Sequence, residues 1–175
     1  MPIQNPHDKF FKETFSDKAN AADFIKGTCP PEVLKNLVLS TLTLEKSSYI
    51  DEELKEQFSD LVYSCQYGKK RNVSIVLLFE HKSYVPQYPH VQLLKYLLNL
   101  WKEDMNARKP LTVVIPLVLY HGRRRWRKRD FSTYFDTCDQ EVRRFLPEFD
   151  YLLTDLSKFT DREIKEALFH RLSLR

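Results

Sequence analysis

Apolar positions recur along this chain with two periods, and the switches between them predict the order of elements. In residues 7–26, Phe10, Phe11, Phe15, Ala22 and Ile25 fall on or near one helical face. Asn5-Pro6 marks the start of this helix, and Gly27 followed by Pro30-Pro31 its stop. A helical turn over 32–37 leads into three strand-like stretches. Residues 38–50 alternate in part, with Leu42 and Leu44 around Thr43, and 56–67 form the second stretch. The third, 73–83, holds the continuous run Ile75 to Phe79, which predicts a strand buried on both faces. A turn over 68–72 makes the second and third a hairpin, so an antiparallel meander is expected. After Pro86 and Pro89, residues 90–105 space Leu93, Leu94, Leu97, Leu98 and Trp101 at helical intervals, the clearest helix in the chain. Residues 111–120 are again continuously apolar, and the helix before them lets this strand return parallel to an earlier one. Pro116 inside it demands a position where a missing donor is tolerated. Beyond lie a helical stretch at 139–146, a short strand at 151–156 and an amphipathic helix at 161–172 carrying Ile164, Leu168, Phe169 and Leu172. The order α-β-β-β-α-β predicts an α/β fold with a mixed central sheet flanked by helices, in one domain spanning 1–175.

Composition narrows the function. With 175 residues, 42% hydrophobic and 30% charged, the chain is an ordinary globular domain. Only three glycines and no Walker or dinucleotide fingerprint argue against nucleotide-driven chemistry. Cys29, Cys65 and Cys138 are too few and too scattered for a disulfide framework or a zinc ribbon, so a reducing cytoplasm is expected. Residues 1–9 lack the apolar core of a signal peptide, and no apolar stretch approaches membrane-spanning length. Net charge is +4, yet Arg123, Arg124, Arg125, Arg127, Lys128 and Arg129 alone supply +6, leaving 4 − 6 = −2 for the rest. Six cations around Trp126 suit a phosphate backbone, with strong salt dependence. The competing reading is a solvated, mobile loop.

Candidate chemistry sits at the ends of two strands. Side chains alternate along a strand, so Glu80 and Lys82 share a side and His81 points to the other, leaving only its backbone carbonyl for a metal shell. A carboxylate and an ammonium against a hydrophobic sheet must pair or bind an ion. A sheet-edge salt bridge satisfies that condition, but hairpin pairing would also bring Asp60 beside Glu80. Two carboxylates suit Mg²⁺, with Mn²⁺ as a substitute, and Lys82 could then position an attacking water and offset charge on a phosphorane-like transition state. Gln92, early in the long helix, could bond that water or a phosphate, while Tyr96 one turn on is expected to pack. His7 and Asp8 open the first helix, where the acid suits the helix dipole, and Glu13 follows one turn later; any of them could support the site. Tyr84 and Tyr88 flank a loop that could stack on bases or cover the core. His121 reads as a turn residue.

Asp60 on the second strand and Glu80-His81-Lys82 on the third, in that element order, resemble the PD-(D/E)XK nuclease superfamily, with its restriction-endonuclease-like core. Within it, the strings His7-Asp8-Lys9-Phe10-Phe11-Lys12, Asp60-Leu61-Val62-Tyr63, Glu80-His81-Lys82-Ser83, Leu93-Leu94-Lys95-Tyr96 and Leu119-Tyr120-His121-Gly122 look like the bacterial recombination-promoting nucleases, a family also labelled putative transposases (YhgA-like). The resemblance covers about 7–122, with the basic loop and helical additions of 123–175 beyond it. It implies a Mg²⁺-dependent DNA endonuclease that promotes recombination, with Asp60 and Glu80 as metal ligands and Lys82 as the catalytic basic residue. The family often carries Gln where Lys82 stands, and lysine there restores the wider superfamily pattern. Lysine at that place also argues against a true transposase, which needs an acidic triad. Family members are typically longer. The alternative expectation is therefore a catalytically silent DNA-binding or regulatory module that pairs with a longer paralogue or forms a homo-oligomer.

Overall fold

The computed structural model describes residues 6–45, 59–69, 71–80, 85–136, 139–160 and 162–163. The opening amphipathic stretch forms two helices rather than one, α1 (Pro6–Phe15) and α2 (Lys18–Thr28). The break comes from Asp17, whose carboxylate accepts from the backbone N–H groups of Ala19 and Asn20 at 2.9 and 3.0 Å and so caps a new helix. The Asn20 amide reaches back to the Thr14 carbonyl at 2.9 Å and fixes the corner. Helix α2 runs through Gly27, and the stop falls at Cys29, which turns extended before Pro30. A single turn, α3 (Pro31–Leu34), precedes the sheet.

The sheet follows the predicted meander. Strands β1 (Leu37–Leu44), β2 (Ser59–Tyr67) and β3 (Arg71–Glu80) pair antiparallel in succession. The hairpin is tighter than expected, with Tyr67 opposite Arg71 and Gly68 at φ +62°, a conformation that glycine adopts without steric cost. Helix α4 (Pro89–Asn106) then crosses back, and β4 (Val113–Tyr120) lies parallel to β3, as the intervening helix requires. A 3₁₀ turn (Phe131–Tyr134) and the short helix α5 (Gln140–Arg143) lead to β5 (Leu152–Asp155), parallel to β4. The β4–β5 ladder begins at Leu117, immediately after Pro116, so proline sits where β4 has β3 alone beside it. The predicted helix at 161–172 falls almost wholly outside the described residues. The result is a mixed five-stranded sheet, in the order β1-β2-β3-β4-β5, flanked by helices, as expected of a restriction-endonuclease-like core.

Strand alternation sorts the core into two layers. Leu61, Tyr63, Cys65, Val73, Ile75, Leu117 and Leu119 pack with α1 and α2 through Phe11, Phe15, Phe24 and Ile25. Val62, Val118 and Tyr120 point the other way, onto Leu93 and Tyr96 of α4 and onto Trp126 and Tyr151. Asp60 shares the parity of Val62 and therefore lies under α4.

Candidate active site

Asp60 is buried, 5% exposed, in the layer beneath α4. The phenolic hydroxyl of Tyr96 donates a short hydrogen bond to its Oδ2. Burial first, and then the neighbouring Asp60 charge, push the Tyr96 pKa far up, so its proton stays on and the ring serves as a fixed donor. Sequence reasoning gave Tyr96 only a packing role. Its placement four residues after Gln92 was the available signal, since positions i and i+4 share a helix face.

The register places Asp60 opposite Leu78 rather than opposite Glu80. Glu80 is two residues further along β3, at the same phase of the pleat, so the two acidic positions are diagonal neighbours on the α4 side of the sheet. Diagonal positions are separated by about 7–8 Å between Cα atoms, a span that two carboxylates can bridge through an ion. The side chain of Glu80 and the whole of His81 and Lys82 lie outside the described residues.

Gln92 lies near the N-terminus of α4, the end that follows the C-terminus of β3 and hence the Glu80 end of the sheet. Its Oε1 is buried and has no hydrogen-bond partner among the described residues. Leaving a buried acceptor unsatisfied costs about 1–3 kcal/mol, so the amide oxygen has capacity for one more hydrogen bond. Carboxylate and amide oxygens are hard donors, the type that Mg²⁺ takes. Among the described residues, no three His, Cys, Asp or Glu side chains gather closely enough to hold a metal by themselves.

Of the helix candidates, Glu13 separates from this site. Glu13 is exposed and pairs with Lys9 at 3.7 Å on α1, which covers the opposite face of the sheet from Asp60. The side chains of His7 and Asp8, and Tyr84, are outside the described residues. Cys29 and Cys65 are free and buried, and burial raises both thiol pKa values, Cys29 to about 11, so neither is poised as a nucleophile.

The basic run is anchored to the fold at two of its residues. Trp126 is buried, its backbone N–H bonds the Asp155 carboxylate at 3.0 Å and its indole N–H bonds the Tyr151 hydroxyl at 3.2 Å. Lys128 is engaged within the molecule, donating to the Tyr151 carbonyl at 2.7 Å and pairing with Asp150 at 2.6 Å. Arg123, Arg124, Arg125, Arg127 and Arg129 remain exposed. The run leaves the sheet after Tyr120, the register partner of Glu80.

The sequence profile of the family described as "Putative transposase, YhgA-like" matches residues 5–174. The chain belongs to that family. YhgA-like relatives include recombination-promoting nuclease RpnD of Escherichia coli O157:H7, 27% identical over 161 residues, covering 91% of this chain and 62% of the relative. Recombination-promoting nuclease RpnA of Escherichia coli K12 is 31% identical over 118 residues, covering 67% and 40% respectively. A third relative from the same strain is named inactive recombination-promoting nuclease-like protein RpnE, 27% identical over 165 residues, covering 93% and 54%. The chain thus spans roughly half the length of these relatives, two of which are named as nucleases and one as inactive. No solved structure matches the chain. No helix among the described residues is long and apolar enough to cross a membrane.

Proposed function

We propose that this YhgA-like chain is a single PD-(D/E)XK-type domain that hydrolyses DNA phosphodiester bonds with Mg²⁺ and promotes recombination by breaking DNA in the bacterial cytoplasm. The carrying observation is the buried Asp60 carboxylate held by Tyr96, at the same pleat phase as Glu80 and on the helix side that carries the orphaned Gln92 oxygen. Asp60 and Glu80 would hold the ion, with the His81 carbonyl as a further oxygen. When bound, Mg²⁺ polarises the phosphoryl oxygen and lowers the pKa of water. The protein's own groups do the rest. Tyr96 fixes the direction of Asp60, and Gln92 Oε1 accepts a hydrogen bond from the attacking water. Lys82 aligns that water and offsets the charge developing on the phosphate oxygens. Arginines of the basic run bind flanking phosphates.

Purified protein should nick or linearise plasmid DNA with Mg²⁺, or with Mn²⁺ in its place, and stop in EDTA. Equal activity in Asp60→Asn and Lys82→Met proteins would assign the cleavage to a contaminant and sink the reading. The relative named inactive supports a second reading, a silent DNA-binding or regulatory module that pairs with a longer paralogue or with itself. DNA binding without cleavage under any divalent metal would favour it.

A further inference from the structure

The anchoring of Trp126 and Lys128 leaves a pattern with period two. Those residues face inward, and Arg125, Arg127 and Arg129 face out, with no ion pair among the described residues. The three arginines line one side of a groove of about 340 Å³ whose other side is the 85–89 loop, with Tyr134 at the same groove. Arg129 also borders a second recess of about 350 Å³. Part of its wall is aromatic: Phe131 stacks on the buried His90 ring at 5.2 Å and 24°, and Phe149 is edge-on to both. The two hollows share Arg129 as a lining residue and differ in charge. The groove offers arginine alone, whereas the recess mixes Lys128, Arg129 and Arg143 with Asp130, Glu148 and Asp150. A phosphate suits the first. The second, balanced in sign and walled by flat rings, suits a neutral planar group edged with both donors and acceptors.

We propose that the groove and recess together hold an unpaired nucleic-acid strand, with phosphates on Arg125, Arg127 and Arg129 and one base packed in the recess against Phe131 and Phe149, the half-exposed rings there. Alternate residues of an extended chain stand about 6.6 Å apart, a spacing that a stretched phosphate backbone can follow. A base reaches such a recess only when it is out of the duplex stack. Tyr88, 46% exposed and edge-on to Tyr134 at 5.5 Å, offers a further stacking surface at the rim. Because the basic segment leaves β4 beside the register position of Glu80, the strand would pass next to the proposed cleavage centre. The proposal names the substrate class of that site and rests on the reading that the substrate is nucleic acid.

The test is fluorescence anisotropy of the full chain in EDTA, with a labelled oligonucleotide of about 15 nucleotides, its duplex, and an abasic version. The unpaired strand should bind about tenfold or more tighter than the duplex, and the abasic strand should lose about tenfold. Phe131→Ala should lose a similar factor for the natural strand and little for the abasic one. Replacing Arg125, Arg127 and Arg129 by Gln should reduce the salt slope by about two. Equal binding of strand and duplex, or of natural and abasic strands, would overturn the proposal, and the abasic arm stands even where Phe131→Ala fails to fold. Cleavage is scored separately with Mg²⁺. A protein that cleaves but binds strand and duplex alike overturns this proposal alone, whereas one that prefers the unpaired strand and never cleaves supports it and overturns the nuclease reading.

Discussion

Tyr96 on α4 donates its hydroxyl hydrogen to Asp60 on β2 across the interior of the α4 layer, between residues 36 apart in sequence. A hydrogen bond to a buried charge contributes about 1.5–3 kcal/mol. Tyr96→Phe keeps the ring and removes the donor, so Tm should fall by about 3–12 °C. If Asp60 binds the ion, losing its orienting partner should also raise the Mg²⁺ concentration for half-maximal cleavage by about tenfold or more. An unchanged Mg²⁺ midpoint alongside a lowered Tm would make the pair structural only.

Gln92 gives the opposite signature. Its Oε1 is a buried acceptor without a partner among the described residues, so Gln92→Leu removes an unsatisfied group and should leave Tm unchanged or raise it by a few degrees. Cleavage should nevertheless fall, because the water loses its acceptor. A destabilised Gln92→Leu protein with normal cleavage would show that the amide serves the fold.

How much of this was legible beforehand depended on the range of the interaction. The hairpin, the crossover helix and the parallel return of β4 follow from local periodicity, and the shared side of Asp60 and Glu80 from strand alternation. The diagonal register does not. It is set by a hairpin with Tyr67 opposite Arg71, a length that turn composition left open by a residue or two. The break between α1 and α2 hid inside a continuous amphipathic pattern because Asp17 can cap a helix as readily as continue one. The division of the basic run was hidden too, since Trp126 and Lys128 find Asp155, Tyr151 and Asp150 more than 20 residues later. Composition saw six equal cations there.

Asp17 offers a control away from the site. Asp17→Ala removes both cap bonds and should cost about 1 kcal/mol, lowering Tm by about 2–4 °C. Because α2 packs on the opposite face of the sheet from Asp60, cleavage measured well below Tm should not change.

His90 is 2% exposed, and its pKa is lowered chiefly by burial. Asp150 and Asp130 oppose the shift, Lys128 adds to it, and the Tyr134 hydroxyl lies 3.3 Å from Nδ1. The folded state therefore favours the neutral ring. Above about pH 6.5 the ring is neutral in both states and contributes no pH dependence. Below it the unfolded chain takes up the proton first, so stability falls with pH until the folded-state pKa is reached. His90→Phe should lose less Tm than wild type between about pH 7 and pH 5. Parallel Tm profiles for the two proteins would show that His90 does not carry the acid sensitivity.

The basic run should respond to substitution in two distinct ways. Lys128 already has a counter-charge in Asp150 and a carbonyl acceptor in Tyr151, so its ammonium has little left to exchange with condensed counterions on DNA. Lys128→Met should thus leave the slope of log Kd against log salt nearly unchanged and lower Tm modestly, the pair being partly exposed. Arg125→Gln and Arg127→Gln, which disturb no ion pair among the described residues, should each reduce the slope by about 0.7–0.9 with Tm unaffected. Asp150→Asn completes the comparison, since it frees the Lys128 charge and should steepen the slope that Lys128→Met leaves alone. If Lys128→Met instead flattened the slope as much as either arginine substitution, the inward anchoring would be irrelevant to DNA binding, and the run would act as the undivided patch of six charges that composition suggests.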